Sequence, residues 1–158
     1  MAPINLTPKA SAQHPPLRVL LVDDNPLFLG QAAQWLTKQP GIHMVGQATS
    51  GKDGIEQALL LNPDLVVMDL VMPAMNGHEA AQQIKRRSKT TRVILISMHN
   101  HESFSENSLL YSDGFVPKDD LYNRLIPLIW ALFPGRGFSL LFLYLGSAIG
   151  AYPVIVGQ

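Results

Sequence analysis

Five side chains in this sequence are of the types needed to hold a cation and transfer an anionic group, and each stands at or near the end of an apolar run. Asp23 and Asp24 follow LRVLLV, Asp69 comes near the end of DLVVMDL, Ser97 lies near the end of RVILISM, and Lys118 ends GFVPK. Three carboxylates brought to one place repel one another and acquire raised pKa values unless a cation joins them. The simplest partner is a hard divalent ion. With oxygen donors alone, and no His or Cys at metal spacing, the donor set points to Mg2+, which accepts a few carboxylates, keeps several waters and bridges to a phosphoryl oxygen. Asp-Asn-Pro is also ordinary turn and helix-cap vocabulary, which would explain Asp23 and Asp24 but not Asp69, Ser97 and Lys118 in matching places.

Elements that place five polar groups on one rim are strands of a parallel sheet alternating with helices. Apolar runs of strand length alternate with segments of helical period from Leu17 onward, which predicts βα units. The strands are expected at LRVLLV, IHMVGQAT, DLVVMDL, RVILISM and GFVPK. The intervening helices are expected at PLFLGQAAQWLTKQ, where Pro26 suits a first turn, at GKDGIEQALLLN with Ile55, Ala58 and Leu59 on one face, and at NGHEAAQQIKRRS with Ala80, Ala81 and Ile84 inward. Asn62 and Pro63 are expected to end the second of these. The basic cluster Lys85, Arg86, Arg87 and Lys89 suits the negative end of a helix dipole, a solvated cap. Asn100 to Ser112 reads as polar and weakly helical. LYNRLIPLIWALF makes a last helix in which Pro127 must produce a kink or mark a late start. In such sheets functional groups collect beyond the carboxyl ends of the strands, where strand order reverses.

These residues resemble the receiver domains of two-component response regulators. The likeness runs from Leu17 to about Phe133 and rests on DD at 23 and 24 after a first strand, VVMDLVMPAMNG, Ser97 after the fourth apolar strand, and Lys118 in GFVPK. It implies a flavodoxin-like (βα)5 fold with a five-stranded parallel sheet in the order 2-1-3-4-5. It also implies that Asp69 is a phosphoacceptor, taking a phosphoryl group from a phosphohistidine on a sensor histidine kinase or phosphotransfer protein. Mg2+ would then be held by Asp24, by Asp23 directly or through water, by Asp69 and by the backbone carbonyl of Val71. Lys118 would supply further positive charge, Ser97 would donate its hydroxyl to the phosphoryl oxygen, and Phe115 would turn inward as the switch. Pro73 and Gly77 shape the loop after Asp69, with Gly permitting unusual backbone angles. The sequence departs from the family at Lys118, which is followed by Asp119 rather than proline and preceded by Pro117; a cis bond is therefore open before Pro117 only.

The totals suit a single domain. The chain has 158 residues, 47% of them hydrophobic, enough for one domain with a real core. Twelve basic and twelve acidic residues balance, so no global field draws the chain toward nucleic acid, and no direct nucleic-acid binding is expected. There is no cysteine, which excludes disulfides and thiol chemistry. The five histidines (14, 43, 78, 99 and 101) show no ligand spacing, and His99 and His101 read as solvated loop residues. Residues 1–16 read as a disordered leader without the apolar core of a secretory signal, 17–133 as the receiver, and 134–158 as an apolar tail. The expected location is the cytoplasm. In the tail, 138–156 is nearly continuous in apolar residues and in a helix would reach about 28 Å, enough to cross a hydrocarbon core. Gly146 and Gly150 form a GxxxG pair, whereas Pro153, Ser139 and Ser147 count against a span. Three readings stay open: a membrane anchor, a segment packed on the domain or on a second copy in a homodimer, and the product of a truncated or shifted reading frame.

The expected function is phosphorylation-dependent signalling without a DNA-binding output domain and without enzymatic turnover beyond self-catalysed phosphotransfer and dephosphorylation. Its partner surface would be formed by the segment at 100–112, the last strand and the last helix. Alternatives are a phosphorylation-independent interaction module, a truncated transcriptional regulator, and a Mg2+-dependent phosphohydrolase. The last usually carries a second acidic residue two positions beyond its nucleophile, where this chain has Val71.

Overall fold

The computed structural model describes residues 14–98 and 110–136. The leader at 1–13, His99 and His101, most of the segment at 100–112, and the tail beyond Arg136 lie outside the described residues, and with them the three readings of the tail. Among the described residues no helix is long and apolar enough to cross a membrane.

Five strands, β1 (Leu17–Val22), β2 (Ile42–Ala48), β3 (Leu65–Asp69), β4 (Arg92–Ser97) and β5 (Gly114–Pro117), form one sheet in the order β2-β1-β3-β4-β5. Every pairing is parallel. Among the described residues four α-helices accompany them: α1 (Pro26–Thr37), α2 (Gly51–Leu61), α3 (Gly77–Arg87) and α4 (Leu121–Leu132). This is the flavodoxin-like arrangement expected from the sequence.

Its two cores follow from the period of a strand, in which alternate residues face opposite sides. Val19 and Leu21 of β1, Leu65 and Val67 of β3, and Ile94 and Ile96 of β4 join Leu29, Ala33 and Leu36 of α1 and Leu125 and Ile129 of α4. Their neighbours Leu20, Val22, Val66, Met68, Val93 and Leu95 join Ile55 and Ala58 of α2 and Ala80 and Ile84 of α3 on the other face. A strand covered by helices on both sides reads as an unbroken apolar run, and β3 is buried throughout. From β1 the chain leaves by α1 to β2 on one side and returns by α2 to β3 on the other, so a crevice opens beyond the carboxyl ends of β1 and β3.

Helix ends match their sequence signals. The Asn25 side chain accepts from the Leu27 and Phe28 amides with Pro26 beside it at the helix start, Ser50 accepts from Asp53, and Asn76 accepts from Glu79. Asn62 ends α2 in the left-handed region at φ 46°.

Several details differ from expectation. Leu59 is exposed, because it lies about 90° from the centre of the stripe formed by Gly51, Gly54, Ile55 and Ala58. Pro127 marks no late start: α4 begins six residues earlier, and the proline has no amide hydrogen to offer the Asn123 carbonyl. All peptide bonds among the described residues are trans, including the one before Pro117. Lys118 opens a 3-10 turn, Lys118–Asp120, rather than ending β5. Of the basic cluster, Lys85 is no free cap. It pairs with Asp113 at 2.5 Å.

Candidate functional site

At the carboxyl end of β1 the chain turns sharply, and the side chain of Asp23 is carried down into the crevice, where it is fully buried. Its amide still extends the sheet by donating to the Ala48 carbonyl at 3.0 Å, and its Oδ1 accepts from the Asn25 amide at 2.8 Å. Asp24 stays exposed at the rim. Asp69, the last residue of β3, is 5% exposed, and its Oδ1 accepts from the Val71 amide at 3.3 Å. The three aspartates each offer a carboxylate oxygen such that these atoms lie within 4.8 Å of one another. Lys118 closes the group: its Nζ lies 2.6 Å from Asp23 Oδ2 and 3.2 Å from Asp69 Oδ2.

The electrostatics are unbalanced. Three carboxylates face one ammonium, which leaves the cluster with an excess of two negative charges when all are ionised. Burial pushes the Asp69 carboxyl up to about 6, opposed mainly by the positive charge of Lys118 and reinforced by the negative charge of Asp23. Asp23 Oδ2 has the Lys118 contact but no aligned hydrogen bond, so a buried carboxylate oxygen keeps a direction open. An all-oxygen donor set with surplus charge and an underused buried oxygen fits a hard divalent cation such as Mg2+. The residues that would hold it are Asp23, Asp24, Asp69 and, through its backbone, Val71. Among the described residues this is the one carboxylate or imidazole cluster with ligand atoms so close together.

The surroundings hold Asp69 in place. The Leu70 amide donates to Ile96, Gly77 donates to Leu70 at 2.8 Å, and α3 begins directly against the acceptor strand. A Cβ on Gly77 would lie 2.2 Å from the Asp69 carbonyl oxygen and 2.9 Å from Leu70 Cα. Close approach, not an unusual backbone angle, is therefore what requires glycine here, a correction to the sequence expectation, since among the described residues the left-handed glycines are Gly41 and Gly135. The intervening loop turns at Ala74, whose φ is 65°, with the Met75 amide donating to Pro73. Ser97 is fully buried at the end of β4, one position beyond the register partner of Asp69. Phe115 is half-buried on β5 and packs against the core on the α2 and α3 side.

One contributor to the site escaped the sequence reading. Phe28 presents its ring to Lys118, with Nζ 4.4 Å from the ring centroid. Its signal was available: side chains in the first turn of a helix lean back toward the N-terminus, which here is the site. Asp113, which accepts from Lys85, from Arg92 and from the Val93 amide, also escaped that reading, but it lies at the amino ends of β4 and β5, on the rim opposite the site. Only the strand register brings those four residues together.

The description of the family whose model matches residues 19–127 is the response regulator receiver domain. The chain belongs to this family. The receiver is 38% identical over 105 residues to the nitrate/nitrite response regulator protein NarL of Escherichia coli K12, a match covering 66% of this chain and 49% of NarL. It is 42% identical over 86 residues to a protein-glutamate methylesterase/protein-glutamine glutaminase of Pseudomonas fluorescens, covering 54% of this chain and 22% of that protein. The chain thus spans about half, or less, of the length of these curated relatives. Among solved structures, the signal receiver domain of the response regulator NarL from Mycobacterium tuberculosis matches with a TM-score of 0.71 at 28% identity, covering 77% of this chain and 99% of that chain.

Proposed function

We propose that this receiver takes a phosphoryl group onto Asp69 from a phosphohistidine of a sensor histidine kinase or phosphotransfer protein, and that the modified state is read at a partner surface. The observation that carries the proposal is the convergence of Asp23, Asp24 and Asp69 within 4.8 Å, with Lys118 bridging two of them, at the crevice where strand order reverses.

In the reaction an Asp69 carboxylate oxygen attacks phosphorus in line with the departing imidazole. The P–O bond forms as the P–N bond breaks, and the imidazole leaves with the bonding electron pair and takes up a proton. Such a loose transition state needs a positioned nucleophile and positive charge near the equatorial oxygens. The Val71 amide and the β3 backbone fix the direction of Asp69. Lys118 is already 3.2 Å from the nucleophilic carboxylate and supplies one compensating charge. Mg2+, when bound by Asp23, Asp24, Asp69 and the Val71 carbonyl, supplies the rest of that charge. Ser97 would donate to a phosphoryl oxygen, and Phe115 on β5 would carry the change to the surface as the two-state element. Val71, apolar and exposed where a hydrolase would carry its second acid, weighs against steady phosphatase turnover.

The test is incubation with acetyl phosphate with and without Mg2+. A hydroxylamine-sensitive acyl phosphate should form with Mg2+ and be absent in Asp69→Asn. Continuous turnover of phosphate esters would favour a hydrolase. Protein that stays unmodified with Mg2+ would leave an interaction module.

A further inference from the structure

We propose that Phe28 is a positioning residue for Lys118, its ring face holding the ammonium in line with the carboxylates of the acceptor site. This inference rests on the phosphoacceptor reading above and assigns part of that chemistry to a residue outside the expected set.

The ammonium lies 2.6 Å from Asp23 Oδ2, 3.2 Å from Asp69 Oδ2 and 4.4 Å from the Phe28 ring centroid. The Lys118 side chain is 8% exposed, so little water is present to compete with the ring for its charge. The ring is itself anchored. It packs against the core formed by α1, α4 and one face of the sheet, and its backbone amide donates to Asn25, the cap of α1.

A fixed ring answers a problem that the geometry poses. Lys118 hangs on a flexible stem from a 3-10 turn after a strand of four residues, and two carboxylates compete for its ammonium. During phosphoryl transfer the ammonium must exchange a carboxylate oxygen for a phosphoryl oxygen. A carboxylate partner resists that exchange. The ring is uncharged, remains in contact throughout, and leaves the positive charge available to the incoming group. A leucine in the same place would fill the space without attracting the charge.

The experiment replaces Phe28 in the full chain with mono-, di- and trifluorinated phenylalanine, which keep the ring's shape while draining its face of negative potential. The rate of acetyl phosphate labelling in saturating Mg2+ should fall stepwise, by about threefold to tenfold at the trifluoro ring, while the melting temperature stays level. Phe28→Leu should fall as far, and Phe28→Tyr should recover the rate. As an independent signature, the upfield ring-current shift of the Lys118 ε-methylene protons should be lost in Phe28→Leu. A rate indifferent to fluorination, or one that merely follows melting temperature, overturns the role of Phe28 while the phosphoacceptor reading stands. A wild-type protein that forms no acyl phosphate overturns both.

Discussion

Replacing Asp69 by Asn should make the metal-free protein more stable at neutral pH, although it removes the proposed nucleophile. The Asp69 carboxyl is raised to about 6 from 3.8, because burial and the neighbouring Asp23 disfavour its charge. The folded chain therefore binds this proton more tightly than the unfolded chain does. Stability falls as pH rises from about 4 to about 6, and the cost is fully present above that window. Two pKa units correspond to about 3 kcal/mol, and solvent screening at the open rim reduces this to about 1–2 kcal/mol. The substitution leaves few groups without partners: Lys118 keeps Asp23 at 2.6 Å, and an Asn oxygen can still accept from the Val71 amide. Urea unfolding at pH 7.5 in EDTA should show Asp69→Asn more stable by that amount, with the difference shrinking toward zero near pH 4. Adding Mg2+ should stabilise the wild type more than the variant, because the variant has lost one of the three ligand carboxylates. A variant less stable than wild type at pH 7.5 without metal, or a gap that does not change with pH, would refute the account of a charge-strained pocket.

Two further outcomes follow from contacts away from the carboxylates. Gly77→Ala should cost about 1–3 kcal/mol in urea unfolding and slow acetyl phosphate labelling, since the added Cβ meets only backbone atoms of Asp69 and Leu70. Asp113 is held below the usual carboxylate range: burial acts to raise it, but Lys85, the Val93 amide and Arg92 together outweigh that effect. Its contribution is present above the unfolded carboxylate value and is lost as pH falls through the lower folded one. Asp113→Asn should accordingly lose about 1–3 kcal/mol at pH 7, and the deficit measured by urea titration should narrow below about pH 4.

The strands, the helices between them and the site cluster were legible because they depend on signals that survive in one dimension, whereas the strand order came from the resemblance to receiver domains. Unbroken apolar runs marked strands buried on both faces, and the polar residues at their ends marked the rim. Asn25, Asn62 and Pro26 marked helix ends through local hydrogen bonding and fixed backbone angles. What was missed depends on register and on the direction of single side chains. Leu59 looked inward because three- and four-residue spacing admits a flank position as readily as a central one. Lys85 looked like a solvated cap because Asp113 is 28 positions away and meets it only once β4 and β5 align. Gly77 was read for its backbone freedom, yet what it provides is space for Asp69.

The contact between Gly77 and the Asp69 carbonyl makes the start of α3 a lever resting on the acceptor strand. A compound or engineered binding protein that gripped the outer side of that helix would tilt the aspartate from behind, without ever entering a highly charged cavity suited to a small cation rather than to a drug-like molecule. A fluorescent label placed on the same outer side would be moved from the other end, and would register occupancy of the cavity as a change in brightness.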